Sequence, residues 1–148
     1  MITDKLKAVG HLSLVLTDKS GKVKATKEVR NLVVDAGLDF IASRMKDATA
    51  TAMSHMEVGT GATAADAADT ALETAVGSSR TALTSTTVTN NEIAYACTFG
   101  AGTGTGALVE AGLFNDPTTG TMLARTVFSV INKGASDSLT ITWTITVS

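Results

Sequence analysis

The stretch Leu139-Thr140-Ile141-Thr142-Trp143-Thr144-Ile145-Thr146-Val147-Ser148 decides the fold. Leu139, Ile141, Trp143, Ile145 and Val147 alternate with Thr140, Thr142, Thr144 and Thr146. A strict period of two puts each set on its own face of a strand. On a helix, at 3.6 residues per turn, the same pattern would scatter around the cylinder. Trp, Ile, Val and Thr are also the side chains that best fit a pleated, half-buried surface. This segment is therefore read as a long antiparallel-type strand, with one face in a core and a hydroxyl-bearing face elsewhere.

Working outward, the last third of the chain is read as almost all strand: residues 92–99, 107–114, 121–131 and 138–147. Short Gly-rich connections join them at 100–106, 115–120 and 132–136. At the other end, Leu12, Leu14 and Leu16 alternate with His11, Ser13 and Val15 in a strand over 8–17, and Asp18-Lys19-Ser20-Gly21 supplies a turn. A return strand over about 22–30 places Val23, Ala25 and Val29 inward and Lys22, Lys24, Thr26 and Glu28 outward. Between these blocks Val34, Leu38, Ile41, Ala42 and Met45 follow a helical stripe, predicting one helix over 34–46. Asn31 or Asp35 would cap it, Arg44 and Lys46 suit its C-terminal end, and Gly37 weakens it. Residues 47–91 are the least regular part, with a short strand near 54–58 and a polar strand or edge over 84–89. Asn90-Asn91 is read as a tight turn.

Regular short strands with such turns predict an all-β fold: an antiparallel β-sandwich, jelly-roll-like, of about eight strands with one short α-helix. At 148 residues the chain reads as a single domain over 1–148. Within it lie a basic N-terminal hairpin (1–30), the helix (34–46) and the main antiparallel strands (84–148). Hydrophobic residues make up 44% and charged residues 18%, which is globular rather than disordered composition. The net charge of −2 gives no general case for nucleic acid, but its distribution is uneven. Residues 1–46 hold nine Lys/Arg against five Asp/Glu, and residues 47–148 hold three against nine. Such asymmetry can orient a partner or neighbouring copies, or simply sit on solvated loops. Met1-Ile2-Thr3-Asp4-Lys5 has no apolar leader core, and no stretch approaches the roughly 20 apolar residues of a membrane span. The expectation is a soluble protein made in the cytoplasm, with no membrane partner.

The candidates for chemistry are few. Gly59-Thr60-Gly61 and the Gly-rich run 100–106 lack the lysine of a phosphate loop, and the second leads into a strand, so both read as hairpin loops. His11 and His55 read as surface or interface imidazoles rather than metal ligands. Asp66, Asp69 and Glu73 would share a helix face but lack the every-second-residue spacing of a Ca²⁺ loop, and read as a solvated acidic face. Cys97, the single cysteine, lies in the alternating run Ile93, Tyr95, Cys97, Phe99 and reads as a buried small hydrophobe. No Gly-x-Ser-x-Gly elbow is present, and aromatics are only 4% of residues, which disfavours a sugar cleft. No catalytic, cofactor-binding or metal-binding residues are assigned, and no enzyme is expected.

Several phrases in order carry a resemblance: Asn31-Leu32-Val33-Val34-Asp35-Ala36-Gly37-Leu38, Val58-Gly59-Thr60-Gly61, Asp69-Thr70-Ala71-Leu72-Glu73, Arg80, Ile93-Ala94-Tyr95, Glu110-Ala111-Gly112-Leu113-Phe114 and Met122-Leu123-Ala124-Arg125-Thr126-Val127-Phe128. Their order and spacing, from about residue 30 to the end, resemble small virion structural proteins of tailed bacteriophages, either capsid cement (decoration) proteins or tail-fibre-like proteins. The resemblance implies a non-enzymatic β-sandwich acting as an oligomer on the particle. A cement protein would lie on the capsid exterior, with the major capsid protein and its own copies (a homotrimer or homodimer) as partners. It would need no direct nucleic acid contact. The positive segment Lys5, Lys7, Lys22, Lys24, Lys27 and Arg30 is the expected shell contact, and the same residues also read as a solvated strand face. A tail-associated protein (fibre adaptor, baseplate or host-binding module) is the alternative reading. A carbohydrate-binding β-sandwich is a third.

Overall fold

The Trp143 ring is wholly buried, and so are Leu139, Ile141 and Ile145 on the same side of β9 (Ser138–Val147). The computed structural model describes residues 7–46 and 50–148. In it β9 runs between β1 (Ala8–Thr17) and β6 (Glu92–Phe99), antiparallel to both. Leu12, Leu14 and Leu16 of β1, and Tyr95, Cys97 and Phe99 of β6, extend the apolar face that β9 begins. The remaining strands are β2 (Val23–Val33), β3 (His55–Gly59), β4 (Thr81–Ala82), β5 (Ser85–Thr89), β7 (Gly106–Phe114) and β8 (Met122–Lys133), and the helix is α1 (Asp35–Lys46). All nine strands form one antiparallel sheet in the order β4-β3-β7-β8-β2-β1-β9-β6-β5.

The regular short strands and turns predict two packed sheets, but a single curled sheet forms, a half-barrel in which the two wings share one core. β2 explains the difference. It pairs with β1 over most of its length but with β8 only at Leu32 and Val33. Before that point the two strands are bridged by side chains. Thr126 Oγ1 donates to the Arg30 carbonyl at 2.9 Å and Lys27 Nζ donates to Ser129 Oγ at 2.6 Å. The sheet therefore bends at this seam without being cut. Met56, Val58, Ala111 and Leu113 of the β4-β3-β7-β8 wing then pack in the same core as Leu14, Cys97 and Trp143 of the other.

The chain links the far edges itself. Thr81–Ala82 pair with β3, while from Ser85 the same segment pairs with β6. Between them the Leu83 N–H donates to the Ser54 carbonyl and the Thr84 N–H to the Ala96 carbonyl. Cys97 Sγ lies 3.7 and 3.6 Å from the carbonyl oxygens of Thr81 and Ala82. The curl is thus closed at β4 and opens again along β5.

The expected apolar stripe of the helix does not face the core as a unit. Val34 is buried but precedes the helix, while Leu38 is 46% exposed and Met45 83% exposed. α1 docks instead through Gly37, where an added Cβ would lie 2.1 Å from the Leu123 carbonyl oxygen, and its neighbours Phe40 and Ile41 reach the core. The glycine that weakens the helix is what lets it approach β8. Asn31 belongs to β2 and cannot cap the helix. The 100–106 run is also no hairpin, since it carries the chain from β6 to β7 in the opposite wing, and so is 132–136, from β8 to β9. These two crossings meet. Lys133 Nζ, buried, donates to the Gly100 carbonyl at 2.9 Å, and the Gly102 N–H donates to the Ala135 carbonyl. Burial lowers the Lys133 pKa.

Candidate functional site

Where the end of β7 (Glu110–Phe114) meets the start of β8 (Met122–Thr126), the second wing is buried on both sides, which is why this part reads as a near-continuous run rather than strict alternation. Its outer side carries Phe114, Met122 and Leu72 in a small second core, with the Arg80 guanidinium 3.6 Å from the Phe114 ring centroid. Beside it lies a charged cluster. Glu110, fully buried, accepts from the backbone N–H groups of Gly61 (3.0 Å), Glu73 (3.0 Å) and Thr74 (2.8 Å). It also holds Arg125 through Nε at 3.0 Å and Nη2 at 2.8 Å. Arg125 in turn reaches Asp69 at 2.9 Å and the Thr63 carbonyl at 3.0 Å, with Glu73 at 3.7 Å. Burial opposes the charge on Arg125, but its bonds to Glu110 and Asp69 outweigh that and raise its pKa.

This cluster fixes the segment between β3 and β4. Added Cβ atoms at Gly59 and Gly61 would lie 2.5 and 2.7 Å from Glu110 Oε1, so the Gly59-Thr60-Gly61 motif exists to let the loop backbone close over a carboxylate. Asp66 and Asp69 lie in turns, where the Asp66 N–H donates to Asp69 Oδ2 at 2.9 Å. The expected acidic helix face is therefore a pair of loop carboxylates, Asp69 and Glu73, drawn to one arginine. Among the described residues no group of three His, Cys, Asp or Glu side chains is placed to hold a metal ion. Cys97 is fully buried, and burial pushes its thiol up to about 12. His55 Nδ1 lies 2.8 Å from Ser54 Oγ, and His11 Nε2 lies 2.9 Å from Glu28.

The outer face of the first wing is of a different kind. Thr140, Thr142, Thr144 and Thr146 of β9 stand opposite Thr98, Ala96, Ala94 and Glu92 of β6 on one side, and opposite Val15, Ser13, His11 and Val9 of β1 on the other. Thr98 and Thr140 are joined through their hydroxyls at 3.0 Å. Ser85, Thr87 and Thr89 of β5 continue the rows. On this face of β1, β5, β6 and β9 the ionisable side chains are Glu92 and His11. Charge appears at the β2 border, where Arg30 and Glu28 stand opposite His11 and Ser13. A shallow depression of about 290 Å³ lies there, lined by Val9, His11, Arg30, Thr144 and Thr146.

No family model matches this chain, and no curated protein or solved structure proved similar to it.

The basic residues singled out in the sequence do not converge. Lys5 lies outside the described residues. Lys7 is exposed where the chain enters β1, its backbone paired with Ser148. Lys22 is exposed at the β1–β2 turn, and Lys24 beside it is bound to Asp137 at 2.8 Å. Lys27 points to the opposite side of β2, at Ser129. Arg30 stands on the hydroxyl-rich face opposite His11, and it lies six residues from Lys24, roughly 20 Å along a strand. What the sequence reading missed is the pair Glu110 and Arg125. The available signal was an acid and a base set inside two otherwise apolar strands.

Proposed function

We infer that this chain is a non-enzymatic virion structural protein, a cement or decoration protein that binds an assembled tailed-phage head and bridges major capsid protein subunits. The observation that carries this reading is the outer face of β9 and its neighbours. It is a broad surface of threonine, serine, alanine and valine with charge at its borders, built on strands whose other side is the core. Such a surface costs less to desolvate than a charged one, and its many short hydroxyl groups can recover that cost through hydrogen bonds to a partner. That suits repeated contact with a shell better than capture of a small ligand. Arg30 and His11 at the β2 border supply a polar rim. The ordered motifs from residue 30 onward support the same reading. The mechanism is linkage, because a protein that binds the assembled lattice and not its dissociated subunits stabilises the lattice by mass action.

The test is copy number in purified virions, by quantitative mass spectrometry against the major capsid protein. A ratio near one per capsid subunit, or a simple fraction of it, is the expected result. A handful of copies would move the protein to the tail, and absence from virions would overturn the structural reading altogether.

A further inference from the structure

The sheet has two edges, and among the described residues only one of them is protected. At β4 the edge is two residues long and is covered by β6, with the Cys97 sulfur against its carbonyl groups. At β5 all five residues, Ser85-Thr86-Thr87-Val88-Thr89, are exposed, and among the described residues β6 is the one strand paired with it. None of the five is charged and none is proline, and all but Ser85 are β-branched. Proteins that stay monomeric usually blunt such an edge with lysine, proline or a bulge. Alongside β5 runs the gap left where the curl reopens, an apolar cleft of about 460 Å³. Thr86 and Val88 form one wall, Phe40 and Ile41 of α1 another, and Ile93 and Ile145 are at its base. Val88 is 67% exposed at its rim.

We propose that β5 is the interface of a twofold homodimer, pairing antiparallel with β5 of a second copy so that one sheet runs through both. A second copy is the occupant that these residues fit. With the twofold axis at Thr87, Ser85 faces Thr89, Thr86 faces Val88 and Thr87 faces itself, so every cross-strand pair joins small or β-branched side chains and no like charges meet. A single open edge also gives closure. One self-complementary strand makes a dimer and stops, whereas two open edges would make a fibre. Five residues a side bury less than the roughly 800 Å² per partner of a standard interface. The contact therefore extends over the cleft rim onto the exposed apolar side of α1, where Leu38 and Met45 line a smaller hollow that shares Ile41 and Val147 with the cleft. The dimer does not depend on the shell-binding reading, so either can fail without the other.

Sedimentation velocity of the purified chain over a micromolar concentration series reads the outcome directly. The expected result is a reversible monomer–dimer equilibrium. Thr87→Lys puts two ammonium groups opposite each other on the axis and should raise the dissociation constant by at least about tenfold. Thr87 is exposed, so the melting curve of the monomer should barely move. In a Cys97→Ala background, Thr87→Cys should give a disulfide-linked dimer on mild oxidation, whereas Thr89→Cys, displaced from the axis, should not. A native chain that stays monomeric throughout the series would overturn the proposal. So would a dimer that Thr87→Lys leaves unchanged, or one in which Thr87→Cys does not cross-link.

Discussion

Taking away the guanidinium of Arg125 would leave Glu110 buried with its carboxylate answered only by backbone N–H groups, and would leave Asp69 and Glu73 beside it. A buried ion pair broken on one side typically costs about 3–5 kcal/mol, because the surviving charge is uncompensated. Arg125→Met is therefore expected to lower stability to urea by about that amount, as is Glu110→Met. The double replacement should cost clearly less than the sum of the two, since it removes both charges and leaves apolar volume. A double-mutant cycle in urea checks this, and additivity of the two losses would show that the pair does not act as one unit. Asp116 makes a different prediction. The N–H groups of Thr119 and Thr118 donate to its carboxylate at 2.8 and 2.9 Å, and these bonds bring its pKa from 3.8 down to about 2. A group depressed in the folded state adds stability above its unfolded value and loses it as pH falls through the folded one. The β7–β8 turn should therefore hold down to about pH 2. An NMR titration of the Asp116 carboxyl carbon with a midpoint near 4 would contradict it.

At the scale of the element, α1 shows what periodicity can and cannot convey. The stripe of Val34, Leu38, Ile41, Ala42 and Met45 marks a helix correctly, yet it does not say which side meets the sheet. That is decided by the closest approach the backbones can make, at Gly37 against Leu123. An alanine would be favoured by about 1 kcal/mol on helix propensity alone. Here the new methyl would lie 2.1 Å from a backbone carbonyl oxygen, which cannot rotate away. Gly37→Ala is therefore expected to destabilise by about 1–3 kcal/mol, the range for overpacking a fitted contact, and a thermal melt gives the sign directly. In β1, β6 and β9 the expected and observed limits coincide to within a residue, because one face of each is core and the other is not. The paired halves of β7 and β8, Glu110–Phe114 and Met122–Thr126, are covered on both faces, so their apolar run marks them as strands without saying what lies on either side. The loop from Gly59 to Val76 was legible only as irregular. Its order is encoded in Glu110 and Arg125, which are distant in the chain and unremarkable until the sheet sets them side by side.

For the whole molecule, face and strand were legible in the sequence, but strand neighbours and curvature were not. Alternation specifies which side chains share a face, and nothing in it specifies which strand lies alongside. The half-barrel arises from the short β2–β8 pairing and from a segment that pairs with one edge and then the other, both of them long-range facts. This layout predicts an order of opening. β9 and β1 sit inside the sheet with neighbours on both sides, and they carry Trp143, Leu12 and Leu14 into the core. Their amides open only when the core does, so hydrogen exchange there should report the global unfolding free energy. β5 has one strand neighbour and five exposed residues, and its amides should exchange earlier. In the Arg125→Met variant the amides of Gly61, Glu73 and Thr74 should join the early group while those of β9 keep their rank, because the charged cluster ties down the loop and not the seam. Loss of β9 protection in step with the loop would mean that the cluster holds the curl itself, and the wings would then be one cooperative unit with their covering segment.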